Sequence, residues 1–287
     1  DGMVTLYSGT QNMGQGLETV FTQLLSEKLQ IPMESIKIVL GDTKLVKGLG
    51  SFGSRSLFVG GTALLEGTKD FLQKGRELAA EELEAAEDDI LYHNGRFLVT
   101  GTSISVGLFD LASKQSQKCI STETEKTVEG RSWPNGCHIA EVEIDPETGR
   151  VFLASYGNVD DTGNMINPMI VEGQIIGGIA QGAGQVLLEQ SVYDSDGQLL
   201  TASFMDYAMP RADDLPLIQS STFTDAPCLT NPLGAKGVGE IGTVGSIPTI
   251  ANAILDALWD QGVRKFDMPA YPQKIWKLLQ EAKNLRQ

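Results

Sequence analysis

The run Leu233-Gly234-Ala235-Lys236-Gly237-Val238-Gly239-Glu240-Ile241-Gly242-Thr243 sets one carboxylate, Glu240, among four glycines. Glycine lets a backbone come close to a ligand and take positive φ. A carboxylate shielded from water in such a loop suits proton abstraction near neutral pH, which makes Glu240 a candidate general base. The plainer alternative is a polar turn whose glutamate faces solvent. Gly237, Gly239 and Gly242 also spell G-x-G-x-x-G, but that dinucleotide fingerprint needs a strand directly before it. Here Thr230-Asn231-Pro232-Leu233-Gly234 precedes the run, and its Pro and Gly make a turn. The dinucleotide reading is therefore weak.

Three other places combine polar side chains with glycine. Gln15 lies between Gly14 and Gly16 at the start of a helical pattern, Ser54, Arg55 and Ser56 follow Gly53, and Gln181 sits among Gly173, Gly177, Gly178, Gly182 and Gly184. Gln offers a donor and an acceptor together, matching an amide-like ring. Gly-rich turns and helix starts offer backbone N–H groups to phosphate.

The stretch Lys236-Gly237-Val238-Gly239-Glu240 resembles the active-site glutamate loop of the xanthine dehydrogenase/aldehyde oxidase family of molybdenum hydroxylases. Further segments match that family in the same order: Met13-Gly14-Gln15-Gly16, Phe52-Gly53-Ser54-Arg55-Ser56, and Ile166-Asn167-Pro168 through Gly173-Gln174 to Ala180-Gln181-Gly182. Tyr207-Ala208-Met209-Pro210-Arg211-Ala212-Asp213 also looks like the family's segment leading to the glutamate. The matches run from residue 3 to about 280.

The resemblance implies that Glu240 is a general base, taking the proton from a hydroxide or water ligand of molybdenum. The oxygen then attacks an electron-poor carbon, and hydride passes to a sulfido or selenido ligand. It implies cofactor contacts by Gly14, Gln15, Gly16, Gln181 and Gly239, the two glutamines near the metal end, and pterin or phosphate contacts by Gly53, Ser54, Arg55 and Ser56. No residue is implied as a direct metal ligand. The cofactor would be molybdenum with molybdopterin, in its cytosine dinucleotide form, while FAD and 2Fe–2S clusters would sit on partner subunits. Nothing in the chain resembles the family's first molybdenum-cofactor domain, so that domain, or a large molybdopterin subunit, is expected as a partner beside the iron–sulfur and flavin subunits. The chain would then be the C-terminal half of the molybdenum portion, a medium subunit or a fragment, inactive alone. Its small-molecule substrate would be an N-heteroaromatic, a purine or an aldehyde. The alternatives are a carbon monoxide dehydrogenase-type subunit, whose motifs include a Gly-Ser-Arg-Ser loop, and a non-catalytic assembly module of the same fold.

Composition sets outer limits. The 287 residues carry a net charge of −15, which disfavours nucleic acid because phosphate is neutralised by Lys and Arg. Cys119, Cys137 and Cys228 are isolated and read as reduced core thiols. The only histidines, His93 and His138, give little support for a zinc site. No apolar run approaches the roughly 18 residues of a membrane span, and no signal peptide is visible, so a cytoplasmic protein is expected. Lys236 is expected to face solvent.

The positioning elements follow from periodicity. The pattern predicts a strand at 3–8, a helix at 17–29, a strand at 36–40, a helix at 60–86, strands at 90–92 and 96–99, and a helix at 104–114. Strands at 138–144 and 150–158, a helix at 169–190, strands at 199–205 and 217–224, and helices at 247–260 and 272–284 follow. The expected fold is α+β, two related strand-helix-strand subdomains forming a molybdenum-cofactor-binding domain. Residues 1–115 form the first half, 116–136 a connection, and 137–287 the second half with the Glu240 loop.

Overall fold

The computed structural model describes residues 2–285. The chain folds as two compact units, Asp1–Ser132 with Pro227–Gly237, and Trp133–Ala226 with Val238–Gln287. This differs from the expected boundaries in two places. Residues 116–132 belong to the first unit, and so does the first part of the glycine run. The fastening is local: Gly237 N–H donates to Ser132 Oγ (3.1 Å), and Gly130 packs against Thr230.

In the first unit, strand β1 (Val4–Ser8), helix α1 (Leu17–Leu29) and strand β2 (Ile36–Leu40) form a parallel crossover with Val4 opposite Ile36 and Ser8 opposite Leu40. The apolar row Leu17, Val20, Phe21, Leu24, Leu25 and Leu29 is buried. A π-type turn at Ser56–Gly60 leads into helix α2 (Gly61–Glu82), which starts against Phe21 and Leu233 because Gly60 and Gly61 bring no Cβ. Strands β3 (Ile90–His93), β4 (Arg96–Val99) and β5 (Ser105–Gly107) form an antiparallel sheet, closed by helix α3 (Leu108–Lys114). The expected helix at 104–114 thus begins only after Gly107, because Ser105 and Val106 pair with β4 instead. A second core of Phe97, Ile90, Val106, Leu108, Leu111 and Ala79 lies beneath.

Tyr92 joins these layers by donating its hydroxyl to Leu29 O at 2.6 Å. Burial pushes its pKa up to about 12. A folded pKa above the unfolded value of about 10 gives stability that is present below pH about 10 and lost as pH rises toward about 12. Urea titrations across that window should show a smaller loss in Tyr92→Phe than in the parent.

In the second unit, strands β6 (Asn135–Ile144) and β7 (Val151–Asp161) form an antiparallel hairpin around Asp145–Gly149. Gly149 has φ +73°, and a Cβ there would overlap the Pro272 carbonyl, so the turn requires glycine. Helix α4 (Pro168–Leu187) crosses from β7 to its parallel neighbour β8 (Ile218–Phe223), and helices α5 (Ile241–Trp259) and α6 (Pro272–Asn284) complete the unit. The expected strand at 199–205 does not form. Ser203 Oγ donates to Asp206 Oδ2 at 2.8 Å and Ser203 O accepts from Tyr207 N–H, which curls that stretch into turns.

Helix α5 starts six residues before its expected position, so Glu240 is its N-cap residue and not part of a preceding loop. By length and a mean hydropathy of 1.3, α5 would also suffice for a membrane span, contrary to the reading of apolar runs. It instead lays Ser246, Ile250, Ile254 and Leu258 into a core shared with Ile175, Ile179 and Tyr156.

The two units repeat one plan. β1–α1–β2, a glycine-rich loop and α2 correspond to β7–α4–β8, a glycine-rich loop and α5. Among the described residues the strands form three separate sheets and no continuous doubly wound one. The fold is α+β with two related strand-helix-strand subdomains.

Candidate active site

In the first unit, Gly14 (φ +90°) and Gly16 (φ +80°) turn the chain sharply on either side of Gln15. The Gln15 side chain folds back on this turn, Oε1 accepting from Met13 N–H (2.7 Å) and Nε2 donating to Gln11 O (2.9 Å). It braces its own loop first, retaining one N–H and one lone pair for a ligand. Ser51 reaches the same place, accepting from Gln11 N–H (2.9 Å) and donating to Gln11 O (2.6 Å). These bonds bring the Gly14–Gly16 turn and the Gly53–Ser56 loop together. Gly53 (φ +59°) and Ser54 (φ +53°) are both left-handed, and the Arg55 guanidinium stacks 4.1 Å over the Phe52 ring. Gly237 lies directly on the Ser54 backbone, where a Cβ would meet Ser54 C at 2.9 Å. No side chain caps the start of α1, so its first N–H groups lack a capping side-chain acceptor.

In the second unit, α4 and α5 touch backbone to backbone. A Cβ on Gly242 would overlap Ile175 O and lie 2.7 Å from Ile179 N, and one on Gly178 would lie 2.9 Å from Thr243 N. These glycines serve helix–helix contact. The Thr243 hydroxyl lies 2.9 Å from Gln181 Oε1 and 3.0 Å from Gly178 O. Gln181 is thereby tied to the first turn of α5, which Glu240 opens. Gly173 and Gly177 share the row of Gln181 at four-residue steps, and a Cβ on either would meet nothing within 4 Å. Glu240 and Gly239 are exposed.

Several expectations change here. Glu240 is not shielded within this chain, because it stands at the open end of a helix. Lys236 is half-buried where solvent exposure was expected. Cys119 and Cys137 are exposed; only Cys228 is a core thiol, and all three are free.

The sequence reading also missed a buried polar group beneath α5. His138 Nδ1 lies 2.7 Å from the Tyr156 hydroxyl, and Nε2 lies 3.1 Å from Asp160 Oδ1. Asn158 Nδ2 donates to Asp160 Oδ2 (2.6 Å) and to Ser220 Oγ (3.2 Å). Burial holds the Tyr156 hydroxyl well above the usual phenol range. The available signal was the alternation of Tyr156, Asn158 and Asp160 on one face of a strand.

The donors in the first unit are the Gln15 amide, the Ser54 and Ser56 hydroxyls, backbone N–H groups and the Arg55 guanidinium, and the second unit has the Gln181 amide. In the first unit that set fits an amide-like ring carrying phosphate, and a Cβ on Gly14 or Gly53 would meet nothing within 4 Å; in the second unit the same is true of Gly173 and Gly177.

Comparison with known proteins gives the same chemistry. The chain is 37% identical to the gamma subunit of the 6-hydroxypseudooxynicotine dehydrogenase complex of Paenarthrobacter nicotinovorans, covering 97% of this chain and 36% of that protein. It is 36% identical to the carbon monoxide dehydrogenase large chain of Hydrogenophaga pseudoflava, covering 95% and 35%. The crystal structure of quinoline 2-oxidoreductase from Pseudomonas putida 86 superposes with a TM-score of 0.84 at 33% identity, over 98% of this chain and 37% of that one. The chain thus spans just over a third of the length of these relatives. Residues 1–216 match the molybdopterin cofactor-binding domain model. With three-quarters of its length under that model and a donor set of the matching chemistry, the chain belongs to the molybdopterin cofactor-binding domain family.

Proposed function

We propose that this chain is the molybdopterin-binding C-terminal part of a molybdenum hydroxylase, which hydroxylates an electron-poor carbon with water as the oxygen source. The observation that carries this reading is the placing of Glu240, a carboxylate at the start of α5 on a turn that Thr243 ties to Gln181. When bound, the molybdenum cofactor supplies a Lewis-acidic centre that activates water and takes up two electrons.

The protein's part is binding and proton transfer. Gly14, Gly16 and Gly53 offer close backbone approach, Ser54 and Ser56 offer hydroxyls, and Arg55, steadied on Phe52, matches phosphate. A pyrophosphate partner for Arg55 suits the cytosine dinucleotide form of the cofactor. Gln15 uses its remaining N–H, and Gln181 its amide NH2, as neutral donors. Gly239 leaves room beside Glu240, whose carboxylate accepts the proton. A first molybdenum-cofactor domain or large subunit would cover Glu240 and exclude bulk water, while iron–sulfur and flavin subunits would carry the electrons away. The substrate class is an N-heteroaromatic, a purine or an aldehyde.

The test is turnover by the molybdenum-replete holoenzyme in oxygen-isotope-labelled water, with a panel of such substrates and carbon monoxide. The label should appear in a hydroxylated product. Label from dioxygen, or no turnover of any substrate, would overturn the proposal. Turnover of carbon monoxide alone would identify the dehydrogenase-type alternative.

A further inference from the structure

The first two turns of α5 are gripped from two sides. On one side, Gly242 lies on the α4 backbone and Thr243 bonds Gln181. On the other, Gly245 rests on the imidazole of His138: a Cβ there would lie 2.6, 2.7 and 2.8 Å from Cε1, Nδ1 and Nε2. The imidazole cannot yield easily. Tyr156 holds one nitrogen and Asp160 the other, Asn158 and Ser220 continue the chain of bonds across the sheet, and the side chains of His138 and Asp160 are 4% and 1% exposed. Pro248, three residues after Gly245, cannot donate the helix bond of its position, which loosens the turns before it from the rest of α5. The seat of Glu240 therefore depends on contacts made before Pro248, and the His138 ring is the rigid one on the sheet side.

We propose that His138, locked by Tyr156 and Asp160, is a positioning residue that fixes the first turns of α5 and through them Glu240. This rests on the proposed base role of Glu240. A buried polar cluster serving only stability would hold the fold without affecting the proton-transfer step, so the two roles separate experimentally.

The test uses the holoenzyme and reads kcat and KM per molybdenum, molybdenum content, and hydrogen exchange of the peptide covering residues 238–247. Gly245→Ala should lower kcat by about tenfold or more, as a small displacement of a reacting group does. KM and molybdenum content should stay near parental values, and exchange should rise within that peptide. His138→Asn, which keeps a polar side chain but removes the ring under Gly245, should lower kcat and raise exchange in the same way. Tyr156→Phe removes one tether without opening a large cavity. Should Gly245→Ala fail to accumulate, Tyr156→Phe decides the matter by the same pattern at smaller amplitude. Parental kcat and exchange in Tyr156→Phe, or parental kcat in Gly245→Ala, would overturn the proposal. Glu240→Gln is run alongside. If it keeps full turnover, the base reading and the catalytic half of this proposal fall together; if it is inactive while the Gly245 and Tyr156 variants turn over normally, only the positioning role of His138 falls.

Discussion

Glu240→Gln in the complete enzyme should lose at least about 100-fold in turnover per molybdenum, the low end of what removing a general base costs. Glutamine keeps the shape of glutamate and its place at the start of α5, but it does not accept a proton near neutral pH. The loss therefore falls on the transition state, and substrate affinity should hold. Molybdenum and pterin content should equal that of the parent, because Glu240 is not among the donors assigned to the cofactor. Gln181→Ala is the control of opposite sign, lowering cofactor content along with activity. Parental turnover per molybdenum in Glu240→Gln would place the base elsewhere.

Gly242→Ala should be the most damaging change to the fold of the second unit. Its methyl would overlap Ile175 O and come within 2.7 Å of Ile179 N, both backbone atoms of a packed helix that cannot rotate aside. Separating α4 from α5 to admit it should cost about 3 kcal/mol, the upper range for overpacking. Calorimetry should record a fall in Tm of roughly 6–12 °C for a unit of this size. Gly173→Ala is the contrast: a Cβ there meets nothing within 4 Å. Replacing a helical glycine in open space should stabilise by up to about 1 kcal/mol, so the two alanines should move Tm in opposite directions. Equal shifts would mean that α4 and α5 do not rely on this contact.

The same glycines explain what the sequence concealed. α1, β2 and α6 are legible to the residue, because their apolar positions follow an uninterrupted period and their ends carry ordinary stop signals. The start of α5 is not legible. Gly242, Gly245 and Pro248 all argue locally against a helix, and only the close approach of α4 makes one form there. β5 was hidden by similar logic, since three residues can be drawn into a strand by a neighbour that the sequence does not announce. In the site, Glu240 stood out as a motif, yet its exposure depends on the whole surface around it. The pairing of the Gln15 turn with the Gly53–Ser56 loop runs through Gln11 and Ser51, forty residues apart and ordinary in type. The cluster of His138, Asp160 and Tyr156 depends on strand register, including the shift at Glu141/Val142 in the pairing of β6 with β7, and no spacing rule predicts that.

The first unit is not continuous in sequence, and this gives the chain an order of assembly. Its last piece, Pro227–Gly237, supplies Leu233 against Gly61 and the backbone at Gly237 that lies on Ser54. Domains tend to fold as they leave the ribosome, from the N-terminus onward. Here the first unit must wait with that surface open until the first stretch of the second, Trp133–Ala226, has been synthesised. The loop proposed to grip the cofactor's phosphates then receives its final contact only three residues before Glu240. A nascent chain halted short of residue 237 should therefore lack a finished binding loop, so that loading and the appearance of the base are joined in time by the path of the chain.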